Sequence, residues 1–294
     1  MNQHILATTT PTAELAGVSL SYTLGEPVLR GLDWRLLPGQ VVGLLGRNGA
    51  GKTTLLEAML GLREVQSGVV KLFQQPAARL DDAARARIGY VPQQSDLFES
   101  FTPAQLLAYF KSFYPRWNEA KVEGLMSRWD IARDKRISKL SVGQQQRLSI
   151  IRALAHEPDL LVLDEPVASL DPAARRDFLS ELVDQVLERG TTVVFSTHIL
   201  SDLERVAFNL AFMNGGRIAL QAPLDELMDE VRVLTGTTAD VQALLQRLGA
   251  ASLKCTPLAD GRERVMARLP AGMQWPADAN AEAVTLEDLF MELT

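Results

Sequence analysis

One stretch of this chain decides its fold: Gly46-Arg47-Asn48-Gly49-Ala50-Gly51-Lys52-Thr53. It fits the pattern G-x-x-x-x-G-K-[ST], in which glycines let backbone N–H groups turn inward around a polyphosphate. The stretch follows an apolar run at residues 41–45, a predicted strand, and opens a helix predicted over residues 52–62. A chance glycine turn would lack this context, so the sequence predicts a nucleoside triphosphate site at a helix N-terminus.

Further short apolar runs alternate with helical patterns through the first two thirds of the chain. Residues 160–163 and 192–195 show no polar alternation, which is typical of strands buried in a parallel sheet. Residues 210–213 and 217–221 flank Asn214-Gly215-Gly216 and predict a β-hairpin that closes the core. Together these patterns indicate an α/β fold, a P-loop NTPase core with a mixed or parallel sheet.

Helix formers replace β-branched residues at about residues 100–140, which predicts a helical subdomain inserted in the core. Its aromatic residues lie at helical spacing: Tyr109, Phe110, Phe113, Tyr114 and Trp117. Internal packing of the insertion and a surface that docks a partner are both open interpretations of this cluster.

Changes in polarity and in hydrophobic periodicity along the chain predict the domain boundaries. Residues 1–13 are polar and predict a frayed tail, and residues 14–230 form the core domain with its insertion. From residue 231 onwards a strand, a helix, a hairpin and a last helix from Leu286 predict a small α+β accessory domain, residues 231–294.

Composition excludes several classes of protein. The chain has 294 residues, 47% of them hydrophobic, so it is not disordered throughout. Its net charge of -6 argues against a nucleic-acid coat, and Cys255, the only cysteine, excludes an internal disulfide and a multi-cysteine metal site. No run of about 18 apolar residues and no signal-peptide pattern is present, so a membrane role would require a partner.

The apolar run at residues 160–163 ends in two carboxylates, Asp164 and Glu165. In an open α/β sheet, ligands bind at the carboxyl ends of strands. Asp164 is therefore the expected partner of Mg²⁺, with the hydroxyl of Thr53. Glu165 is then free to polarise the attacking water. The alternative is a solvated strand end without chemistry.

These residues resemble one family, the ATP-binding cassette (ABC) ATPases, over nearly the whole of residues 15–223. The most diagnostic element is Leu140-Ser141-Val142-Gly143-Gln144, which is similar to the family signature. Read physically, Ser141 and Gln144 form an S-x-x-Q capping box, and ordinary helix capping is the alternative. The resemblance implies that this helix faces the γ-phosphate held by a second subunit, so that a head-to-tail dimer encloses two ATP molecules.

The resemblance also implies roles for four scattered residues. Gln93 matches the glutamine loop, which touches Mg²⁺ and water and links the core to the insertion. Asp171, in Ser169-Leu170-Asp171, is similar to the loop that crosses to the partner subunit. His198 matches the switch histidine that holds the γ-phosphate, and Tyr22 resembles the aromatic residue that stacks on adenine. A surface glutamine, a polar turn, a structural histidine and a strand tyrosine packed on the sheet are the alternatives.

The predicted site follows from these assignments. Glu165 and His198 are the catalytic candidates, and Thr53, Gln93 and Asp164 are the candidate ligands of Mg²⁺. The candidate nucleotide-binding residues are Tyr22, Gly46, Asn48, Gly49, Ala50, Gly51, Lys52, Thr53, Thr54, Gln93, Ser141, Gly143, Gln144 and Asp171.

Two positions depart from the family's commonest pattern. Arg47 stands where proline is usual, and because every glycine of the loop is intact we expect little change in phosphate binding. Val142 stands where glycine is usual. Its β-branched side chain either crowds the facing ATP or is tolerated by turning outward.

The resemblance implies a function: an ATP-binding and ATP-hydrolysing subunit of an ABC transporter, with ATP and Mg²⁺ as cofactors. Such a subunit works as a homodimer, or a heterodimer with a similar cassette, on the cytoplasmic face of a transmembrane permease encoded separately. Residues 282–294 are similar to the closing helix of bacterial exporter-type subunits, which favours export; a generic amphipathic helix is the alternative. A soluble ABC ATPase with a regulatory, ribosomal or DNA-associated role is the other function considered. One uninterrupted cassette and an acidic balance argue against it, and against a nucleic-acid partner.

Overall fold

Six strands form the central sheet of the protein. The computed structural model describes residues 10–22, 25–167, 170–198, 200, 209–276 and 279–294. The sheet has the order β10-β9-β3-β8-β7-β6, all neighbours parallel except the hairpin pair β9 and β10. Its strands are β3 (Val41–Leu45), β6 (Ile88–Val91), β7 (Leu160–Asp164), β8 (Thr192–Ser196), β9 (Asn209–Asn214) and β10 (Arg217–Pro223).

Every residue of β3, β7 and β8 is buried, which explains why these strands appear in the sequence as continuous apolar runs. The predicted strands and the hairpin are confirmed to within two residues at each end. The two-residue loop of the hairpin, Gly215-Gly216, has positive φ angles of 54° and 77°. This conformation is the one that a tight hairpin turn of this kind requires.

A second, antiparallel sheet covers one face of the core. It has the order β2-β1-β4-β5 and consists of β1 (Ala13–Leu20), β2 (Leu29–Leu36), β4 (Ser67–Leu72) and β5 (Gln75–Pro76). Its apolar side chains share one buried cluster with helix α1 (Lys52–Met59). The predicted helix end at residue 62 is wrong by three residues. The chain turns at Gly61, with φ 71°, where a Cβ atom would lie 2.4 Å from the carbonyl oxygen of Ala77.

The helical insertion follows β6 and a short helix α2 (Asp82–Arg85). It contains α3 (Pro103–Lys111) and α4 (Glu119–Arg128), and it leads into α5 (Val142–Ala155). Buried residues on all three helices, among them Leu106, Leu125 and Ile151, belong to the main core cluster. An ion pair of 3.3 Å between Lys121 Nζ and Glu181 Oε1 ties α4 to α6 (Pro172–Arg189).

The aromatic cluster of the insertion divides between the two interpretations. Phe110 and Trp117 pack against the core, and Tyr114 stacks on His156 with ring centroids 4.0 Å apart. Tyr109 and Phe113 are instead 44% and 60% exposed. Part of the cluster is therefore internal packing, and part of it is accessible surface.

A four-stranded antiparallel sheet, of order β12-β13-β11-β14, follows helix α7 (Leu224–Glu230). The remaining elements of this region are β11 (Val231–Gly236), α8 (Thr238–Leu248), β12 (Ala251–Pro257), β13 (Glu263–Arg268), β14 (Glu282–Ala283) and α9 (Leu286–Leu293).

The two faces of this C-terminal sheet have different neighbours, as the alternation of a strand dictates. Leu234 and Val265 share a small cluster with α8. Val233 and Met266, the adjacent residues of the same strands, join Leu289 of α9 in the main core cluster. The C-terminal region therefore has a small core of its own and also shares the main one.

Within the residues that the structure describes, no helix has the length and apolar character needed to cross a membrane.

Candidate functional site

The phosphate loop connects β3 to α1 through backbone that only glycine adopts without strain. Gly49 has φ 81°, and Gly51, the N-cap of α1, has φ 99°. A Cβ atom on Gly51 would lie 2.9 Å from Val28 Cγ1, so the loop is also closely packed from behind. Ala50 N donates to the carbonyl of Arg47 at 3.1 Å, which closes the turn at the start of the helix.

Lys52, at the start of α1, is held by the loop itself. Its Nζ donates to the carbonyl oxygens of Gly46 at 2.8 Å and Arg47 at 3.3 Å, and it lies 4.0 Å from Glu165 Oε1. Burial lowers the pKa of Lys52, while the negative charges of Glu165 and Asp164 act in the opposite direction. A buried cation aimed at this loop is suited to neutralise an incoming polyanion.

Asp164 ends β7 with its carboxylate almost fully buried, at 1% exposure. Its Oδ1 accepts a hydrogen bond from Ser196 Oγ at the end of β8, and Ser196 Oγ also accepts from Glu165 N at 2.8 Å. Its Oδ2 has no hydrogen-bond partner among the described residues. A buried, unpaired carboxylate oxygen is costly unless a ligand completes it, so this atom fits a Mg²⁺ site.

The few oxygen ligands that the protein offers here are typical of a site that binds Mg²⁺ together with a nucleotide. No group of three or more His, Cys, Asp or Glu side chains within the described part of the chain is placed to hold a metal. Mg²⁺ in such sites takes only one or two oxygens from the protein and the rest from phosphates and water. Thr53 and Gln93 line the cleft and could supply further oxygen ligands.

Glu165 lies at a strained point of the backbone, with φ 48°. For a residue other than glycine this left-handed conformation costs about 1–3 kcal/mol and persists where the surrounding structure imposes it. In this conformation the backbone N–H of Glu165 donates a hydrogen bond to Ser196 Oγ. The distance from Glu165 Oε2 to His198 Nδ1 is 3.3 Å. The two predicted catalytic side chains are therefore in contact.

Tyr22, two residues after the end of β1, lines the cleft that contains Lys52. Its hydroxyl lies 2.7 Å from Thr54 Oγ1, and its ring is 55% exposed. The guanidinium carbon of Arg63 lies 5.3 Å from the centre of the ring. An accessible ring fixed at its hydroxyl end can stack on a planar base.

The structure brings most of the predicted residues into one cleft of about 410 Å³. Its predicted members are Tyr22, Asn48, Gly49, Gly51, Lys52, Thr53, Thr54, Gln93, Glu165 and His198. Gly46 and Ala50 contribute to the loop backbone, and Asp164 lies buried beside Lys52 and Glu165.

Besides Gly46, Ala50 and Asp164, which adjoin the cleft, four further predicted residues do not line it: Ser141, Gly143, Gln144 and Asp171. The predicted capping box is present, since Gln144 N donates to Ser141 Oγ at 3.2 Å and Ser141 N donates to Gln144 Oε1 at 3.0 Å. Asp171 caps α6 and accepts from Arg147 Nη2 at 2.9 Å. Ser169, quoted with Asp171, lies outside the described residues.

Sequence reasoning missed two contributors to the cleft. Ser196 holds both Asp164 and Glu165, and the available signal was a hydroxyl residue at the end of an apolar strand beside the carboxylates. Val28 lines the cleft next to Gly51, but a single valine in a loop carries no such signal.

Comparison with known proteins points to the same family as the sequence motifs. Residues 29–168 match the family model described as ABC transporter. A Nod factor export ATP-binding protein I of Rhizobium etli is 32% identical, with 94% of this chain and 91% of the relative covered. ABC transporter ATP-binding protein YtrB of Bacillus subtilis is 29% identical, covering 91% and 93%.

A solved structure of an ATP-binding subunit of an ABC transporter superposes with a TM-score of 0.67 at 28% identity, covering 74% of this chain and 92% of that one. The fold expected from the sequence is thus confirmed. The chain belongs to the ABC transporter family and is the ATP-binding, ATP-hydrolysing subunit of such a transporter.

Proposed function

We propose that each ATP bound by this chain is enclosed between two cassette subunits, in a homodimer or a heterodimer with a similar cassette. The observation that carries the proposal is the separation of the predicted residues. The cleft of about 410 Å³ described above, here called the Lys52 cleft, contains the residues suited to bind phosphates and Mg²⁺. Ser141 and Gly143 of the same chain do not line it. The end of α5 is also open, because the side chain of Val142 is 69% exposed. A helix N-terminus of this kind can face an anion that another subunit holds.

In this proposal the cleft binds ATP together with Mg²⁺. Tyr22 stacks on the base, the backbone of residues 46–53 surrounds the phosphates, and Lys52 supplies a full positive charge. Thr53, Gln93 and Asp164 would hold Mg²⁺, which when bound would neutralise negative charge on the phosphates. The support for Asp164 is its buried Oδ2, which accepts no hydrogen bond from any residue that the structure describes.

Hydrolysis is assigned to Glu165, whose carboxylate orients and polarises the attacking water. His198 contacts that carboxylate and holds the γ-phosphate. Lys52 and His198 of the same subunit, together with the partner subunit's Ser141, stabilise the negative charge on the transferring phosphoryl group. Catalysis in such a site consists mostly of positioning and electrostatic stabilisation.

The helical insertion is proposed to dock a transmembrane permease on the cytoplasmic face of the membrane. The support is an accessible aromatic group, since Phe98, Tyr109 and Phe113 are 41%, 44% and 60% exposed and lie edge to face. Exposed aromatic residues in a cluster are typical of interaction surfaces. Export is the proposed direction, supported by relatives named as export ATP-binding proteins.

The proposed division of the chain places the core at residues 14–230 and the accessory domain at residues 231–294. It is supported by the separate small cluster of Leu234, Val241 and Val265. The shared packing of α9 in the main cluster means that the two parts are in contact.

Replacement of the proposed base tests this function. Glu165→Gln keeps the shape of the side chain and removes its basicity, so ATP turnover should fall by about 10²–10⁴-fold while ATP still binds. Steady-state phosphate release measures turnover, and Glu188→Gln, an exposed change on α6, is the matched control that should retain it. Unchanged hydrolysis in Glu165→Gln would refute the assigned base.

A further inference from the structure

Arg47 connects the phosphate loop to the far end of the chain. Its Nη2 donates to the carbonyl oxygen of Met291 at 3.4 Å, across 244 positions of sequence. Met291 lies in the last turn of α9, where carbonyl groups lack partners within the helix and carry the negative end of its dipole. A guanidinium is a favourable partner for such a carbonyl.

Helix α9 is fixed at several points besides this contact. Thr285 caps its N-terminus in a capping box, and Leu289 and Leu293 are buried in the same cluster as Phe212 of β9. Glu292 Oε1 pairs with Arg264 Nη1 of β13 at 2.6 Å. The helix is therefore an ordered support that can hold a loop in place.

The loop is also supported from β9. Phe212 is the register partner of Leu45 at the end of β3, and a Cβ atom on Gly46 would lie 3.0 Å from the carbonyl oxygen of Met213. The carbonyl of Arg47 itself accepts from Lys52 Nζ at 3.3 Å. Arg47 therefore contacts α9 through its side chain, and through its carbonyl it contacts Lys52, the residue proposed to bind the phosphates.

We propose that Arg47 is a positioning residue for ATP binding, through which order in α9 and occupancy of the phosphate loop favour each other. The inference rests on the proposed role of residues 46–53 in holding the phosphates. A loop that is already held in its binding conformation loses less freedom when ATP arrives. Coupling between two sites is reciprocal, so bound ATP must also stabilise α9 further.

Affinity measurements on matched variants test the coupling. In a Glu165→Gln background, which prevents turnover, Arg47→Ala should weaken ATP binding by about three- to fivefold. Met291→Gly, which loosens the last turn of α9, should have a similar effect, and Met291→Ala, which keeps the helix and the carbonyl, should not. Because Arg47→Ala removes the contact that Met291→Gly weakens, the double variant Arg47→Ala/Met291→Gly should bind ATP no more weakly than Arg47→Ala alone. Multiplying effects would mean that Arg47 acts through its charge only, and would overturn the proposal.

Hydrogen exchange supplies a second readout, which a loss of charge alone would not move. ATP should increase the protection of the amides of α9 in the Glu165→Gln protein, and Arg47→Ala should abolish that increase. Bound ATP with no change in α9, or an unchanged increase in Arg47→Ala, would overturn the coupling and leave the nucleotide site intact. Failure of the parent protein to bind ATP would instead refute the proposed function.

Discussion

The Lys52 cleft and the start of α5 are both predicted to contact ATP, but their physical states differ. In the cleft, Lys52 is buried with a lowered pKa and Glu165 has a strained backbone. Asp164 Oδ2 has no hydrogen-bond partner in the described part of the chain. At the start of α5, Ser141 and Gln144 complete each other's hydrogen bonds. The cleft therefore needs a ligand to satisfy it, whereas the helix end is stable without one. A site divided between two subunits, as proposed above, is expected to show this difference.

The largest effect is expected from a change in the cleft, at the carboxylate of Asp164. Asp164→Asn keeps the Oδ1 acceptor for Ser196 and replaces Oδ2, the oxygen without a partner among the described residues, by an amide nitrogen, which cannot ligate Mg²⁺. Turnover at saturating ATP should fall by at least about 100-fold. ATPase activity measured across a Mg²⁺ titration checks this, with Asp184→Asn, an exposed change on α6, as the control. A natural rate with an unchanged Mg²⁺ requirement would exclude Asp164 from the metal site.

A second prediction concerns the buried end of α5, which supports its exposed start. Burial lowers the pKa of His156 to about 4, and its Nε2 lies 3.0 Å from the carbonyl oxygen of Ile88. A lowered histidine pKa means that the unfolded chain takes up the proton first. Stability from this group is complete above about pH 6.5 and is lost as the pH falls toward about 4.

Between pH 7 and pH 5 this loss should amount to about 2 kcal/mol in the free energy of unfolding. His156→Gln cannot take up the proton, so its stability should fall less over the same interval, although it is lower at pH 7 because the stacking on Tyr114 is lost. Urea denaturation of both proteins at the two pH values measures the difference. Equal losses in the two proteins would show that His156 does not titrate in this range.

The smallest effect is expected at Val142, at the exposed start of α5. The side chain of Val142 is 69% exposed, so Val142→Gly leaves no cavity. If Val142 crowds the nucleotide of the facing subunit, its removal should raise turnover by about two- to fivefold. The ATPase rate at saturating ATP decides this, with Val142→Ala as an intermediate. No change in either variant would show that the valine is tolerated because it turns outward.

The sequence predicts those parts of the fold in which local pattern and burial agree. The strands β3, β7 and β8 are recognised because a strand buried on both faces is a continuous apolar run. The antiparallel sheet was not predicted strand by strand. Gly17 and Gly31 adopt positive φ angles of 62° and 59°, and the register shifts within β1 interrupt the alternation of apolar residues.

The cleft was predictable from motifs because its members follow three strand ends that meet at one edge of the sheet. Lys52, Glu165 and His198 follow β3, β7 and β8, which are neighbours in that sheet. The bond from Arg47 to Met291 was not predictable, because no local pattern joins a loop to a helix 244 residues away. Its acceptor is a backbone carbonyl, which has no residue-type signature.

The central claim is that the phosphate site of one subunit is completed by the Ser141 helix of another. The most direct measurement is the mass in solution of the Glu165→Gln protein with and without ATP and Mg²⁺, by light scattering on a sizing column. The account predicts a change from 32.3 kDa to twice that mass on adding both ligands. Ser141→Asp in the same background, which keeps a good helix cap but adds a negative charge facing the phosphate, should remain at the single mass. A Glu165→Gln protein that binds ATP yet stays a monomer, in solution and on its native membrane, would contradict the account.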